Sequence, residues 1–278
     1  MNANSTQTRG RLGTELASLN AERKLGLAPY FCAGDGGLER TAALLRAAER
    51  AGASCVELGL PAADPIADGP VLQAAHERAL ASGTTRRDVL QLVRELRGEG
   101  CAMPVILMAY ASSLFGPGAE AFFAEAAESG CDAVLVPDLA LEEAPPLWRL
   151  ARDRGLETVG FAAPNAGLDR WLAAARDNAL LYAVGRAGVT GRATRLDGSL
   201  GERCASFTDQ IATPLCVGFG LRSREQLEAL GDRVRLAAIG TALVPLYLDS
   251  DSIPSGAARV VDFLQSLRPG TKSEATRP

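Results

Sequence analysis

The residue types on which covalent and metal-dependent catalysis usually depend are scarce in this sequence. There is one histidine, His76, and only two of the 29 basic residues, Lys24 and Lys272, are lysines. A Schiff base needs a lysine in the active site, but Lys24 precedes the first predicted strand and Lys272 lies near the C-terminus. A catalytic zinc ion usually takes three protein ligands, and a serine nucleophile takes a histidine base. We favour packing in the core or at the surface as the role of His76, so any chemistry must rest on carboxylates, tyrosines and backbone dipoles.

Other absences narrow the class of protein. No apolar run approaches the ~20 residues that cross a bilayer, and the polar residues 1–10 do not resemble a secretory signal. The net charge of −4 gives no basic footprint for nucleic acid. Six cysteines form no C-x-x-C pair, and Cys32, Cys55 and Cys216 lie in apolar runs. These features predict reduced core thiols in a cytoplasmic protein.

Apolar segments of strand length alternate with amphipathic helical segments along almost the whole chain. Parallel strands that are buried on both faces read as continuous rather than alternating apolar runs. The predicted strands are 28–33, 55–60, 104–110, 133–138, 158–163, 180–184, 214–220 and 236–240. Eight such units predict an α/β protein with a (β/α)8 TIM barrel, rather than an open sheet. We expect an extra N-terminal helix, about 11–23, and an extra helix after strand 2, since helices are predicted over both 71–82 and 86–98.

The predicted barrel accounts for most of the sequence as one domain, residues 11–267. We expect a disordered head over residues 1–10 and a disordered, polar tail over residues 268–278. The active site of such a barrel lies at the C-terminal ends of its strands. That rule directs attention to the polar residues that end strands or follow them.

The stretch from Cys55 to Pro70 carries the strongest candidates. Glu57 interrupts an apolar strand, and Asp68 follows on a loop rich in proline. An ionised carboxylate in such a strand is unfavourable unless it is paired or its pKa is raised. The pair therefore suggests acid–base chemistry, although a structural carboxylate that caps a turn remains an alternative. The same rule adds Asp64, Tyr110, Asp138 and Tyr182 as candidates.

Glycines accumulate after predicted strands six, seven and eight. They are Gly188, Gly191, Gly218, Gly220 and Gly240, and Thr241 follows the last of them. Barrels often bind phosphate with the loops after strands seven and eight, where bare backbone N–H groups approach the phosphate oxygens. We favour a phosphate site over ordinary turn glycines. The predicted chemistry is thus proton transfer on a small phosphorylated molecule, without a metal or covalent intermediate.

Several motifs resemble those of the tryptophan synthase alpha chain family. They are Val56-Glu-Leu-Gly-Leu-Pro61, Asp64-Pro-Ile-Ala-Asp-Gly-Pro70, Arg186-Ala-Gly-Val-Thr-Gly191, Val217-Gly-Phe-Gly220 and Gly240-Thr-Ala-Leu-Val244. They occur in the family's order between about Leu25 and Leu246, and the first two are highly specific. The resemblance implies a lyase that cleaves indole-3-glycerol phosphate to indole and glyceraldehyde 3-phosphate by retro-aldol chemistry.

The resemblance also implies roles for individual residues and for a partner. Glu57 would be the catalytic acid and base, Asp68 would accept a hydrogen bond from the indole N–H, and Tyr182 would complete the catalytic set. The implied substrate-binding residues are Tyr30, Met108 and Tyr110 around the indole, and Thr190, Gly191, Phe219, Gly220, Gly240 and Thr241 at the phosphate. The chain itself would need no cofactor or metal. Pyridoxal phosphate would belong to a tryptophan synthase beta chain, in an alpha2beta2 heterotetramer.

The sequence departs from the family pattern at several loop positions. Ala62-Ala63 stands where Phe-Ser is usual, Ser112 replaces an asparagine, Ala140 a proline and Gly185 a serine. Several of these positions face the beta chain in the family, so weaker association is expected. Two alternatives stay open: a stand-alone lyase that releases free indole for specialised metabolism, and a non-catalytic homologue that regulates a beta-type partner. Intact Glu57 and Asp68 count against the second alternative.

Overall fold

Eight parallel strands close into a barrel in the order in which they occur along the chain. The computed structural model describes residues 10–116, 118–163, 166–184, 198–218 and 220–268. The strands are β1 (Gly26–Cys32), β2 (Val56–Gly59), β3 (Val105–Met108), β4 (Ala133–Leu135), β5 (Glu157–Ala162), β6 (Leu180–Val184), β7 (Leu215–Gly218) and β8 (Leu236–Ile239). β1 pairs with β2 on one side and with β8 on the other, which closes the ring. The predicted (β/α)8 barrel is confirmed.

The strands are apolar because the barrel buries both of their faces. All seven residues of β1 are buried, as are all residues of β2, β3, β6, β7 and β8. Inward side chains fill the barrel, while outward side chains pack under the helices. Glu57 stands in β2 under these conditions, opposite Tyr30 of β1 and Ile106 of β3.

Amphipathic helices surround the barrel and bury one stripe each. They are α1 (Arg11–Glu22), α2 (Leu38–Arg50), α3 (Pro70–Ala81), α4 (Arg86–Gly98), α5 (Ala111–Phe115), α6 (Ala119–Ser129), α7 (Ala144–Asp153), α8 (Leu168–Ala175), α9 (Gly198–Thr208), α10 (Arg224–Glu228), α11 (Val244–Leu248) and α12 (Ile253–Ser266). The extra N-terminal helix and the extra helix after β2 are both present. The short helices α5 and α11 add two that the sequence pattern did not separate.

Helix α1 lies across the N-terminal end of the barrel. Its Leu12, Leu16 and Leu19 are buried at helical spacing. Arg11 Nη1 lies 2.7 Å from Oδ1 of the buried Asp132, which immediately precedes β4. The N–H of Gly13 donates to Glu157, the first residue of β5. This end of the barrel is therefore covered, and the opposite end is left for a site.

Several predicted boundaries were too generous. Strands predicted over 104–110 and 133–138 end at Met108 and Leu135, so Tyr110 and Asp138 lie on the loops that follow. The helix predicted from 141 begins at Ala144, because the two prolines after it fit only the first helical turn. Among the described residues, no helix combines the length and the apolar character needed to cross a membrane.

Candidate active site

A small cavity of about 40 Å³ lies at the C-terminal end of the barrel, where the active site of this fold is expected. Eight residues that the sequence predicted lie on its wall: Tyr30, Glu57, Asp68, Met108, Tyr182, Gly220, Gly240 and Thr241. They come from six strands and the loops that follow them, so the barrel assembles residues that are far apart in the sequence.

Glu57 is the buried acid of the cavity. It is 2% exposed, and its Oε1 has no hydrogen-bond partner among the described residues. Burial disfavours the charged carboxylate, and the negative charge of Asp68 adds to the effect, so the pKa of Glu57 rises to about 8. At neutral pH this side chain therefore carries a proton, which it can donate into the cavity.

Asp68 is held by two side chains on one of its oxygens. It lies on the loop between β2 and α3 and is 3% exposed. Tyr110 Oη donates to Asp68 Oδ2 at 2.7 Å, and His76 Nε2 lies 3.2 Å from the same oxygen. The carboxylate is thus fixed in orientation while it still lines the cavity.

Two glycines make room for the two tyrosines of the cavity wall. A Cβ at Gly59 would lie 2.3 Å from Tyr30 Oη, and a Cβ at Gly218 would lie 1.9 Å from Tyr182 Oη. Each glycine stands on the strand adjacent to its tyrosine. Only glycine admits such a close approach, so the tyrosine rings can fill the mouth of the barrel.

Tyr182 lies against a second aromatic ring. It stacks on Phe161 of β5 with ring centroids 5.7 Å apart and an interplanar angle of 23°. Burial raises the pKa of Tyr182 well above its usual value, and the neighbouring Glu57 raises it further. The phenol is therefore neutral and polar, on the wall that Glu57 also occupies. A planar aromatic substrate would find ring faces there.

Two glycines and a threonine that follow β7 and β8 form another part of the cavity wall. Gly220, Gly240 and Thr241 line the same cavity as the two carboxyl groups. The binding of phosphate by these residues stays a prediction. The other residues predicted at the phosphate, Thr190, Gly191 and Phe219, lie outside the described residues, as do Gly185 and Gly188.

Three of the predicted candidate site residues do not line the cavity. Tyr110 is not on the cavity wall and instead holds Asp68 from behind. Asp138 accepts a hydrogen bond from the N–H of Ala111 at the start of α5, which is a structural role. Asp64 is exposed on the β2–α3 loop. The rule of strand ends therefore selects the correct end of the barrel but does not by itself tell catalytic from structural polar groups.

His76 packs in the core, in agreement with the sequence analysis, but its polar contacts were not predicted. His76 is 1% exposed, yet both of its ring nitrogens have polar neighbours: Asp68, Tyr30 and the N–H of Ala62. A signal was available in the sequence, because Leu72, Ala75, His76 and Ala79 share the buried stripe of α3. A histidine on an apolar stripe that follows a catalytic loop faces the barrel.

Much of the apolar wall of the cavity was not predicted from the sequence. The missed residues are Ala67, Leu72, Leu135, Pro137, Phe161 and Ala238. Phe161 was detectable, because it is an aromatic residue near the end of an apolar strand and pairs in register with Tyr182. The small apolar residues gave no signal that separates them from the general core.

A closed parallel barrel, a buried protonated carboxyl group and a second carboxylate define a class: a (β/α)8 enzyme that moves protons on a small aromatic molecule. Comparisons with known proteins make this class specific. Residues 16–268 match the profile of the family described as tryptophan synthase alpha chain. Membership follows from this match and from the relatives below: the chain belongs to the tryptophan synthase alpha chain family.

The relatives resemble the chain over nearly its full length. The tryptophan synthase alpha chain of Prochlorococcus marinus (strain MIT 9313) is 40% identical over 248 residues, which cover 87% of this chain and 88% of the relative. The tryptophan synthase alpha chain of Synechococcus sp. (strain CC9902) is 37% identical over 266 residues, which cover 95% of this chain and 98% of the relative. The solved alpha subunit from Legionella pneumophila has a TM-score of 0.82 at 30% identity, covering 94% of this chain and 99% of that one. A chain of the tryptophan synthase complex from Pyrococcus furiosus has a TM-score of 0.78 at 29% identity. The match covers 87% of this chain and 97% of that one.

Proposed function

We propose that this protein is the alpha subunit of tryptophan synthase and cleaves indole-3-glycerol phosphate to indole and glyceraldehyde 3-phosphate. The observation that carries the proposal is the position of Glu57, a buried acid with a pKa of about 8 in a cavity that Asp68 also lines. The reaction needs one group that gives a proton to carbon and then takes a proton from a hydroxyl. A carboxyl group with a pKa near neutrality can do both.

The proton transfers follow from the resting state of Glu57. Its protonated carboxyl group donates to indole C3, and the electrons of the C2–C3 double bond form the new C–H bond. The resulting carboxylate then takes the proton from the hydroxyl on the carbon bonded to C3. The O–H electrons become the carbonyl of glyceraldehyde 3-phosphate, the C–C bond breaks, and its electrons restore the neutral indole. Glu57 ends the cycle protonated again.

Asp68 would stabilise the intermediate in this sequence. Protonation at C3 places a positive charge on the indole nitrogen, and a carboxylate that accepts its N–H bond favours that charge. The orientation of Asp68 is fixed by Tyr110 before the substrate arrives. Such preorganised groups need little rearrangement as charge develops.

The remaining cavity wall matches the two ends of the substrate. Met108, Leu135 and Phe161 offer an apolar pocket for the indole, together with the tyrosines Tyr30 and Tyr182. Gly220, Gly240 and Thr241 would bind the phosphate through backbone N–H groups and a hydroxyl. The substrate would thus span the cavity with its scissile bond beside Glu57.

A beta chain is the proposed partner, and the assembly would be an alpha2beta2 heterotetramer. The solved structures similar to this chain include the tryptophan synthase a2b2 complex of Pyrococcus furiosus. Pyridoxal phosphate would belong to that beta chain, since the proton transfers proposed above use only residues of this chain.

Two large apolar side chains are exposed at the cavity end of the barrel: Ile66 at 63%, on the loop after β2, and Phe115 at 58%, the last residue of α5. They are suited to an apolar interface.

The departures from the family pattern bear unequally on that interface. Ala63, Ser112 and Ala140 are exposed, so they can contact a partner. Ala62 is buried and its N–H donates to His76, so it acts inside the subunit. The expectation of weaker association therefore rests on the three exposed positions.

The test is indole release from indole-3-glycerol phosphate by the purified chain, with and without a beta chain. We expect equal amounts of indole and glyceraldehyde 3-phosphate, and a higher rate with the beta chain. Glu57→Gln should lower kcat by at least ~10²–10⁴-fold, the range of general acid–base catalysis, while glycerol phosphate still binds. Near-full kcat in Glu57→Gln would remove Glu57 from the mechanism. A high rate that a beta chain does not change would favour a stand-alone lyase.

A further inference from the structure

His76 is a buried polar residue that the proposed reaction does not use directly. It lies in the middle of α3, is 1% exposed, and reaches the loop that carries Asp68. Its Nδ1 accepts a hydrogen bond from the N–H of Ala62 at 3.0 Å. Its Nε2 lies 3.2 Å from Asp68 Oδ2 and 3.1 Å from Tyr30 Oη. Both ring nitrogens therefore have polar neighbours, and the two neighbours of Nε2 line the cavity.

These contacts assign the tautomer of the imidazole. A backbone N–H can only donate, so Nδ1 must carry a lone pair and the proton of the neutral ring is on Nε2. The Nε2–H is then a donor that is directed at Asp68 Oδ2 and Tyr30 Oη. Since both of these groups meet the same nitrogen, the ring cannot pass a proton between them as a catalytic triad does. The role left for His76 is to hold its neighbours.

The effect on Asp68 is selective for one oxygen. Tyr110 Oη and His76 Nε2–H both approach Oδ2, and neither bonds to Oδ1. Two donors on one oxygen prevent the carboxylate from rotating about its Cβ–Cγ bond. Oδ1 is left in a defined position as an acceptor, in a residue that lines the cavity. Two anchors from different elements, the β3–α5 loop and α3, define that position.

We propose that His76 is a positioning residue that sets Asp68 Oδ1 to accept the indole N–H of the substrate. The chain of contacts runs from the N–H of Ala62, through the imidazole, to Oδ2 of Asp68. This inference rests on the proposed function for the identity of the ligand, an indole with a phosphorylated side chain. It predicts that His76 contributes to the discrimination between an N–H and an N-methyl indole, although it does not touch either.

Two substitutions separate the two contacts of the ring. The side-chain amide of Gln reaches as far as Nε2, so His76→Gln can keep a donor to Asp68. The amide of Asn reaches only as far as Nδ1, so His76→Asn can keep the acceptor for Ala62 but loses that donor. His76→Asn is thus the test variant and His76→Gln its matched control. Tyr110→Phe removes the other donor to Oδ2 and gives a second, independent route to the same effect.

The measurement is the affinity of indole-3-propyl phosphate and its N-methyl counterpart by titration calorimetry. These ligands cannot be cleaved, so the result does not depend on activity. We expect the wild type to prefer the N–H ligand by about ten- to a hundredfold, the range for the loss of one hydrogen bond to a charged group. His76→Asn and Tyr110→Phe should reduce that preference severalfold, and His76→Gln should keep it.

The outcomes distinguish this inference from the proposed function. A merely structural role of His76 would weaken both ligands equally and leave the preference unchanged in His76→Asn, which would overturn the inference. No preference in the wild type would overturn it as well. A wild-type preference that falls in His76→Asn and Tyr110→Phe would support it, even if the purified chain failed to release indole and the proposed reaction were abandoned. If His76→Asn does not fold, His76→Met takes its place against His76→Gln, because the methionine side chain fills similar space but offers no donor to Asp68.

Discussion

At the scale of single residues, the site depends on placing a carboxyl group where water cannot solvate it. Glu57 lies between two strands in the barrel and has Asp68 rather than a cation as its charged neighbour. Both influences favour the protonated form, so the fold maintains an acid at a pH where an exposed glutamate is ionised. The same environment means that the ionised form of Glu57 lowers the free energy of unfolding, and this effect can be measured.

The stability of Glu57→Gln relative to the wild type should depend on pH. Below the ordinary value of 4.5, Glu57 is neutral in both the folded and the unfolded chain. As the pH rises toward 8, the unfolded chain ionises first, so the wild type loses stability until the folded pKa of about 8 is reached. Glu57→Gln escapes this loss, and its advantage should grow across that window to the order of several kcal/mol.

Urea unfolding at a series of pH values measures this advantage. Glu77→Gln is the control, since the Glu77 side chain is exposed and is solvated in the folded as in the unfolded chain. A pH-independent difference between Glu57→Gln and the wild type would mean that Glu57 is not a buried acid.

The contact between Gly218 and Tyr182 gives a second prediction at this scale. Gly218→Ala places a methyl group only 1.9 Å from the present position of the Tyr182 hydroxyl. The tyrosine ring must therefore move. A displacement of about 1 Å in a catalytic wall can lower activity by roughly 100-fold. We expect kcat/KM for indole release to fall by that order. Gly98→Ala, at the end of α4 with nothing within 4 Å of the new methyl group, should leave kcat/KM unchanged.

The residues of the site were predictable to different degrees. Glu57 and Tyr182 stand out because a polar group in an apolar strand needs an explanation. His76 was missed because its three partners lie at positions 30, 62 and 68 and meet it only when α3 packs on the barrel. Leu135 and Ala238 could not be found, since an apolar side chain that lines a cavity is chemically identical to one in the core.

At the scale of elements, continuous apolar runs located every strand, but they overestimated several lengths. A run continues past the last paired residue where the chain stays buried, as at Leu60 and Tyr110. Hydrogen-bond pairing ends earlier, because the register of neighbouring strands sets the rim of the barrel. Hydrophobicity reports burial and does not report pairing, so it predicts the order of the elements better than their ends.

The attachment of α1 to the barrel supplies a prediction for stability. Asp132 is buried and accepts hydrogen bonds from Arg97 at 2.6 Å, Arg11 at 2.7 Å and the N–H of Val105 at 2.8 Å. Asp132→Ala would leave the largely buried Arg97 guanidinium without its charged partner and the N–H of Val105 without its acceptor. Breaking a buried pair in this way costs ~3–5 kcal/mol.

Urea unfolding of the purified chain should show that loss for Asp132→Ala. Asp262→Ala, on the exposed side of α12, is expected to stay within about 0.5 kcal/mol of the wild type. Equal stability of the two variants would show that the contacts of Asp132 do not hold α1 to the barrel. Activity at low temperature should survive in both, because Asp132 lies at the end of the barrel opposite to the cavity.

At the scale of the whole molecule, the proposed partner should meet the cavity end of the barrel. Ile66 is exposed there on the loop after β2, and Phe115 is exposed at the end of α5. Ile66→Lys introduces a charge that an apolar interface would have to desolvate. We expect association with a beta chain to weaken by at least about tenfold, or 1.4 kcal/mol, while the activity of the isolated chain stays the same.

Leu80→Lys provides the matched control for the partner surface. Leu80 is 40% exposed near the C-terminal end of α3, which runs away from the cavity end of the barrel. Titration calorimetry with a beta chain should give the wild-type Kd for Leu80→Lys and a higher Kd for Ile66→Lys. The same Kd for both variants would place the interface on another face.

The pairing of β1 with β8 has a consequence for how the protein is made. Gly26 of β1 pairs with Leu236 of β8, a residue that is synthesised more than 200 positions later. At ~5–20 residues per second, β1 must wait roughly 10–40 s on the ribosome for its second neighbour. During that interval Glu57 and Asp68 have already emerged, but Gly240 and Thr241 have not. Glu57 is therefore synthesised before the closed barrel that buries it exists. The complete site can form only after β8, the last strand, has been synthesised and has paired with β1.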